Sequence, residues 1–264
     1  MIHALAYSGG KDSTATLLWL REQQISFVAV YCDTGWEHPK TVAYIEEINQ
    51  TLLGGKLITL KSVKYDGMVH LIQVKKRNAS AKARFCTEEL KSKPMIAWVA
   101  EQEDEVTIYQ GIRAQESASR ARMLPQVWDD GYDAFVSRPI LSWSVEDVFA
   151  MHKKYQVPVN PLYKMGHARV GCFPCVMVNQ SQLRILSEQS PEVWDRIEEI
   201  SRAAGGGSFF PPNYIPDRCT TGFDPKSQKN FPTNQDVKEY VLDKAQTKLD
   251  DTPSSCMSVY NICE

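Results

Sequence analysis

No apolar run in this chain approaches the roughly 20 residues that would span a bilayer. Repeats and low-complexity tracts are missing as well, which argues against a solenoid or a fibrous protein. Nor is there an excess of positive charge. Thirty Lys and Arg stand against 32 Asp and Glu, a net charge of −2, whereas a protein held to nucleic acid by charge alone is far more basic. Met1 leads straight into an apolar strand without a basic flank or cleavage site, so no signal peptide is expected. These absences predict a cytoplasmic protein off the membrane, in which the seven cysteines are thiols or metal ligands rather than disulfides. Two common nucleotide fingerprints, G-x-x-x-x-G-K-[ST] and G-x-G-x-x-G, are also absent.

What is present is an alternation of strand and helix patterns. "MIHALAYS" is a short apolar run that stops at Gly9-Gly10, "STATLLWLREQQ" has helical spacing, and "ISFVAVYCDTG" is a second β-branched run. Pro39 opens a helix that closes at Gly54-Gly55, and "KLITLKS" is a third strand. "CTEELKSKPMIAWVAEQE" predicts a helix interrupted near Pro94, and "EVTIYQGIR" a strand running into a glycine. Ser144 with Asp147 three residues on predicts a capping box. The expected fold class is α/β, a mostly parallel sheet covered by helices on both faces, over residues 1–157. Residues 158–264, rich in Pro, Gly and aromatics with one clear helix at "SPEVWDRIEEISRAA", are expected to form an irregular region folded over the active-site edge.

In such sheets ligands bind beyond the carboxyl ends of the strands. Three polar elbows follow strands: Ser8–Ser13, Asp33–Trp36 and Gly111–Arg120. In the first, "SGGKDS", two glycines let a ligand approach the backbone, and the following helix offers unpaired N–H groups and a partial positive charge. Lys11 adds a full charge, and Ser8 and Ser13 add hydroxyls. The combination predicts phosphate binding.

That hexapeptide resembles the pyrophosphate loop of the N-type (PP-loop) ATP pyrophosphatases, which share the adenine nucleotide alpha-hydrolase-like fold. "DTGWEHPKT", "GIRAQESASRARM" and "RPILSWSVEDVFAMHKKYQVPVNPLYKMGHARVGCFPC" are similar to segments of the branch that contains phosphoadenosine phosphosulfate reductases. The resemblance implies that Ser8, Gly9, Gly10, Lys11, Asp12 and Ser13 hold the β- and γ-phosphates of ATP, usually with Mg²⁺. Asp12 either positions the metal, orients the loop or caps the helix behind it. Asp33, Thr34 and Gly35 would sit at the nucleoside. Arg113 and Arg120, near Gly111 and Glu116, would face the α-phosphate or the acceptor, since a guanidinium fork suits an oxyanion. Arg138 is a further candidate, and His38 and His167 are assigned no chemistry. Cys32 reads as a core residue.

"GCFPC" puts Cys172 and Cys175 in a C-x-x-C turn suited to two thiolates on one metal. In the adenosine phosphosulfate reductases this stretch resembles, such a pair ligates a 4Fe–4S cluster together with an upstream Cys-Cys pair. Here Phe85 replaces the first of these, leaving Cys86 alone. Cys219 is the preferred fourth ligand, with Cys256 and Cys263 as alternatives. Zinc, or a metal-free thiol pair, are the competing readings.

Two enzymatic readings share this scaffold, and a third is not enzymatic. The first is an ATP pyrophosphatase that adenylates an acceptor for sulfur transfer, resembling the subunits that work with a cysteine desulfurase in DNA phosphorothioation. The second is a phosphosulfate reductase. Its C-terminal Glu-Cys-Gly-Leu-His is not matched by "SSCMSVYNICE", and its degenerate loop is not matched by the intact "SGGKDS". The third is a sensor that binds nucleotide without turnover. The stretch "VKKRNASAKAR", Val74 to Arg84, is either a nucleic-acid patch or a solvated loop.

Overall fold

A computed structural model describes residues 1–225 and 227–243. Two compact units are present: Met1–Gly67 with Cys86–Cys172, and Met68–Phe85 with residues 173–243. The units do not divide after residue 157, where the change in composition puts the break. Residues 158–172 belong to the first unit and residues 68–85 to the second.

The first unit is built on a six-stranded sheet. In chain order its strands are β1 (Ile2–Ala6), β2 (Val28–Cys32), β3 (Ile58–Leu60), β4 (Val106–Gln110), β5 (Gln126–Asp129) and β6 (Ala134–Ser137), arranged β3-β2-β1-β4-β6-β5. All neighbours are parallel except β5, which runs antiparallel to β6 at the edge. This is the expected α/β fold. The β5–β6 hairpin was not anticipated, although its turn, "DDGYD", carries hairpin chemistry.

Alternation along the strands sends side chains to two cores. Leu5, Ala29, Tyr31 and Tyr109 meet α1 (Lys11–Glu22) and α2 (Pro39–Leu52) on one face, through Leu17, Leu18, Tyr44 and Ile48. Ala4, Val30, Ile108 and Val136 meet Met95, Trp98 and Val99 of the helix over residues 93–100 on the other. Because the sheet is covered on both faces, β4 is buried at every position, Thr107 and Gln110 included.

The interruption expected near Pro94 is real. After α3 (Gly67–Lys75), the chain passes through α4 (Phe85–Thr87) and a π-helical turn at Glu88–Ser92 before α5 (Lys93–Ala100). Pro94 falls in the first turn of α5, where its missing N–H costs nothing. Next, α6 (Val145–Lys154) starts on the predicted box: Ser144 Oγ accepts the Asp147 N–H at 3.1 Å and Asp147 accepts the Ser144 N–H at 2.8 Å. A short helix, α7 (Pro161–Lys164), follows.

The second unit holds more helix than the single one expected there. It contains α8 (Gln180–Gln189), α9 (Val193–Ala203) and α10 (Asn234–Leu242), joined by long irregular segments and a small hairpin of β7 (Gly222–Asp224) and β8 (Lys229–Phe231). The buried Asn234 side chain ties three of these segments, reaching Ser201 Oγ at 3.0 Å and accepting the Phe209 N–H at 2.8 Å. In the basic stretch, Lys75 and Arg77 lie over the ring of Phe85 at 5.9 and 5.2 Å. No helix among the described residues is long and apolar enough to cross a membrane.

Candidate functional site

The first elbow is wound tightly by its own hydroxyls. Gly10 is the N-cap of α1, and its carbonyl accepts from the Thr14 N–H, Ser13 Oγ and Thr14 Oγ1, each at 3.0 Å. Ser8 Oγ donates to Ser13 Oγ at 3.1 Å, closing the hexapeptide on itself. Gly9 has φ of +73°, and a Cβ there would lie 2.6 Å from Ile45 Cγ1 of α2. Only glycine satisfies both conditions.

The third elbow closes directly on the first, because β4 is the neighbour of β1. A Cβ on Gly111 would stand 2.6 Å from the Ser13 amide nitrogen and 2.7 Å from the Asp12 carbonyl. That closeness brings Arg113 to the loop, where its Nε donates to Asp12 Oδ1. Lys11 Nζ donates to the other oxygen, Oδ2, at 2.7 Å. All three side chains are buried, Asp12 completely. Two cations and one carboxylate leave this row with one net positive charge at the N-terminus of α1. Pairing is what makes so much buried charge tolerable, and the surplus charge with the helix end suits an anion.

Asp12 therefore neither caps α1, whose cap makes no side-chain bond, nor offers an unpartnered oxygen to Mg²⁺. Its geometry fits orienting the loop. Glu116 sets Arg113 in turn, accepting its backbone N–H at 2.8 Å, and the same carboxylate oxygen pairs with the buried Arg120. Arg120 is thus turned to Glu116. Arg138 is also buried, with its guanidinium bonded to Gln110 Oε1 at 3.2 Å and the Leu124 carbonyl at 3.0 Å, roles that brace the sheet edge.

The second elbow leaves the same sheet edge, since β2 is parallel to β1. Asp33 accepts the Gly35 N–H at 2.9 Å and meets Lys61 at 3.1 Å. Gly35 has φ of +65°. Thr34 Oγ1 donates to the buried Glu37 at 2.6 Å. Glu37 went unremarked in the sequence, where it reads as one more charged residue. His38 Nδ1 accepts the Lys40 N–H and caps α2.

Three further residues missed in the sequence hold the loop from outside. His152 Nε2 lies 2.9 Å from the Lys11 carbonyl, Asn160 Nδ2 donates to the Gly9 carbonyl at 3.1 Å, and Tyr163 Oη accepts the Lys11 N–H at 3.1 Å. The only local signal was Asn160 before Pro161, a helix-start pair. It reports the cap on the Leu162 N–H, at 3.1 Å, but not a partner 151 residues away.

Cys86 and Cys172 belong to the first unit and Cys175 and Cys219 to the second. No group of three or more His, Cys, Asp or Glu that could hold a metal exists among the described residues. Cys256 and Cys263 lie outside the described residues. Cys32 is the core residue it was read as, with its thiol pushed up to about 12 by burial. At pH 8 it is therefore a neutral thiol. Iodoacetamide should leave Cys32 unmodified in the native protein and label it in denaturant, as peptide mass mapping would show.

Comparison with known proteins follows the same lines. The chain is 32% identical over 276 residues to an uncharacterized 37.8 kDa protein of Escherichia phage 186, covering 83% of this chain and 81% of that one. It is 33% identical over 90 residues to the adenosine 5'-phosphosulfate reductase of Allochromatium vinosum, covering 34% of each, so the chain spans about a third of that relative. Among solved structures, the phosphoadenylyl-sulfate reductase of Candida auris in its phosphate complex superposes with a TM-score of 0.52 at 15% identity. It covers 65% of this chain and 81% of that one, a likeness of fold. The profile of the phosphoadenosine phosphosulfate reductase domain matches residues 2–178, a span that contains the sheet, all three elbows and the C-x-x-C turn, and the chain belongs to that family.

Proposed function

We propose that this protein is an ATP pyrophosphatase that adenylates an acceptor in preparation for sulfur transfer. The observation that carries the proposal is the closed loop at Ser8–Ser13, backed by the Lys11–Asp12–Arg113 row. It supports a cradle for a phosphate group. In the reaction, an acceptor oxygen forms a bond to the α-phosphorus while the bond to the β-phosphate oxygen breaks. The electron pair leaves with pyrophosphate, so negative charge grows on the group that the loop would hold. Glycines 9 and 10 allow close approach, Ser8 and Ser13 supply hydroxyls, and Lys11 and Arg113 supply charge. Asp33, Thr34 and Gly35 are proposed to border the nucleoside, and Gly111 keeps Arg113 within reach. Mg²⁺, when bound, would offset phosphate charge. DNA as acceptor and a cysteine desulfurase as sulfur donor follow from the resemblance to phosphorothioation subunits.

Family membership and the adenosine 5'-phosphosulfate reductase relatives favour a second reading, sulfonucleotide reduction. A product assay separates the two. Under the proposal, ATP yields AMP and pyrophosphate when DNA and a desulfurase are supplied, and Lys11→Ala or Ser13→Ala lowers release by about a hundredfold, the usual cost of one lost transition-state donor. Sulfite release from a phosphosulfate with thioredoxin, and no pyrophosphate from ATP, would establish the reductase instead. Nucleotide binding without either product would make the protein a sensor.

A further inference from the structure

We infer that Tyr163 is a positioning residue for the phosphate loop, acting on Lys11 in two separate ways. The inference deepens the proposed function and rests on it. Its hydroxyl accepts the Lys11 backbone N–H at 3.1 Å, which fixes the first helical residue of α1. Its ring lies 5.0 Å beneath the Lys11 ammonium, the same ammonium that donates to Asp12 at 2.7 Å. Lys11 is nearly buried, so its charge has few places to go, and the ring face is one that attracts a cation without neutralising it. A second carboxylate in that place would cancel the charge that the anion needs. A tyrosine keeps it.

Tyr163 is itself held in place by the short turn it stands on. Asn160, fully buried, donates to the Gly9 carbonyl at 3.1 Å and to Thr41 Oγ1 at 3.2 Å while its Oδ1 caps α7. The Tyr44 hydroxyl donates to the Pro158 carbonyl at 2.7 Å, just ahead of that turn. The turn is thus fastened at its N-terminal end to the loop and to α2, and Tyr163 projects from it onto Lys11.

Two contacts through two different parts of one side chain can be separated. The probe is inorganic pyrophosphate, measured by calorimetry on the full chain, so that no turnover is required. Tyr163→Phe removes the hydroxyl and keeps the ring, and is expected to weaken binding about fivefold, the scale of one neutral hydrogen bond. Tyr163→Leu removes both and is expected to weaken it about a further threefold, the scale of a cation–π contact. In a Lys11→Ala background the backbone N–H survives but the ammonium does not. There the Tyr-to-Phe loss should persist, and the Phe-to-Leu difference should vanish. A ring that only filled space would keep that difference. Equal affinity of all three Tyr163 forms, or an unchanged Phe-to-Leu difference without Lys11, overturns the inference. If Tyr163→Leu does not fold, Tyr163→Phe decides alone: affinity within twofold of wild type overturns it. Wild-type protein that fails to bind pyrophosphate overturns the loop assignment as well, which distinguishes the two failures.

Discussion

Gly111→Ala is expected to abolish pyrophosphate release from ATP, with activity falling at least about a hundredfold and far-UV circular dichroism unchanged. The added methyl would sit 2.6 Å from the Ser13 nitrogen and 2.7 Å from both the carbon and the oxygen of the Asp12 carbonyl. All three are backbone atoms of the phosphate loop, so no flexible side chain can yield. Ordinary contact begins near 3.4 Å, so the loop and β4 must separate by roughly 1 Å, a displacement that can cost about 10² in rate at a reacting centre. Overpacking of this kind costs about 1–3 kcal/mol of stability, which a denaturation midpoint would register. Full activity in the variant would mean that the two elbows do not close on each other during turnover. Gly9→Ala makes a useful control, because it adds a positive-φ penalty at the same loop without touching Arg113.

Arg113→Ala should be the most destabilising single change at the site, by about 3–5 kcal/mol, since it strips one partner from a fully buried carboxylate. Asp12 would lose the guanidinium, and the row would lose one of its two cations. Pyrophosphate affinity and turnover are both expected to fall. Arg113→Lys restores charge but not the Nε–H that meets Asp12, so it should recover part of the stability and little of the activity. Full recovery of both stability and turnover in Arg113→Lys would show that charge alone matters here. Asp12→Asn tests the converse: it leaves two buried cations around a neutral amide and should unfold earlier than wild type, the more so at low salt.

Neither variant would have been chosen from the sequence with these reasons. The α/β class, the interruption before Pro94, the Ser144 capping box and the three strand-end elbows were legible because each depends on residues within about one turn or one strand of one another. So was the likeness of "SGGKDS" to a pyrophosphate loop. The β5–β6 hairpin and the helices α8 and α10 were not, being short or weakly patterned. Roles at the site were less legible still. Arg113 and Arg120 look equivalent along the chain, yet one reaches Asp12 and the other ends on Glu116.

The sequence by itself determined which residues could serve an anion: small, polar and cationic groups placed just after strands, at the start of a helix. Only the tertiary structure decided which of them meet. Because β1 and β4 are neighbours in the sheet, Gly111 touches the loop and Arg113 pairs across it, and because the Asn160–Tyr163 turn folds back, Lys11 gains a ring and a hydroxyl. Local pattern follows from backbone geometry over a few residues. The partner of a buried charge is set by strand order, which no stretch of chain around that charge contains.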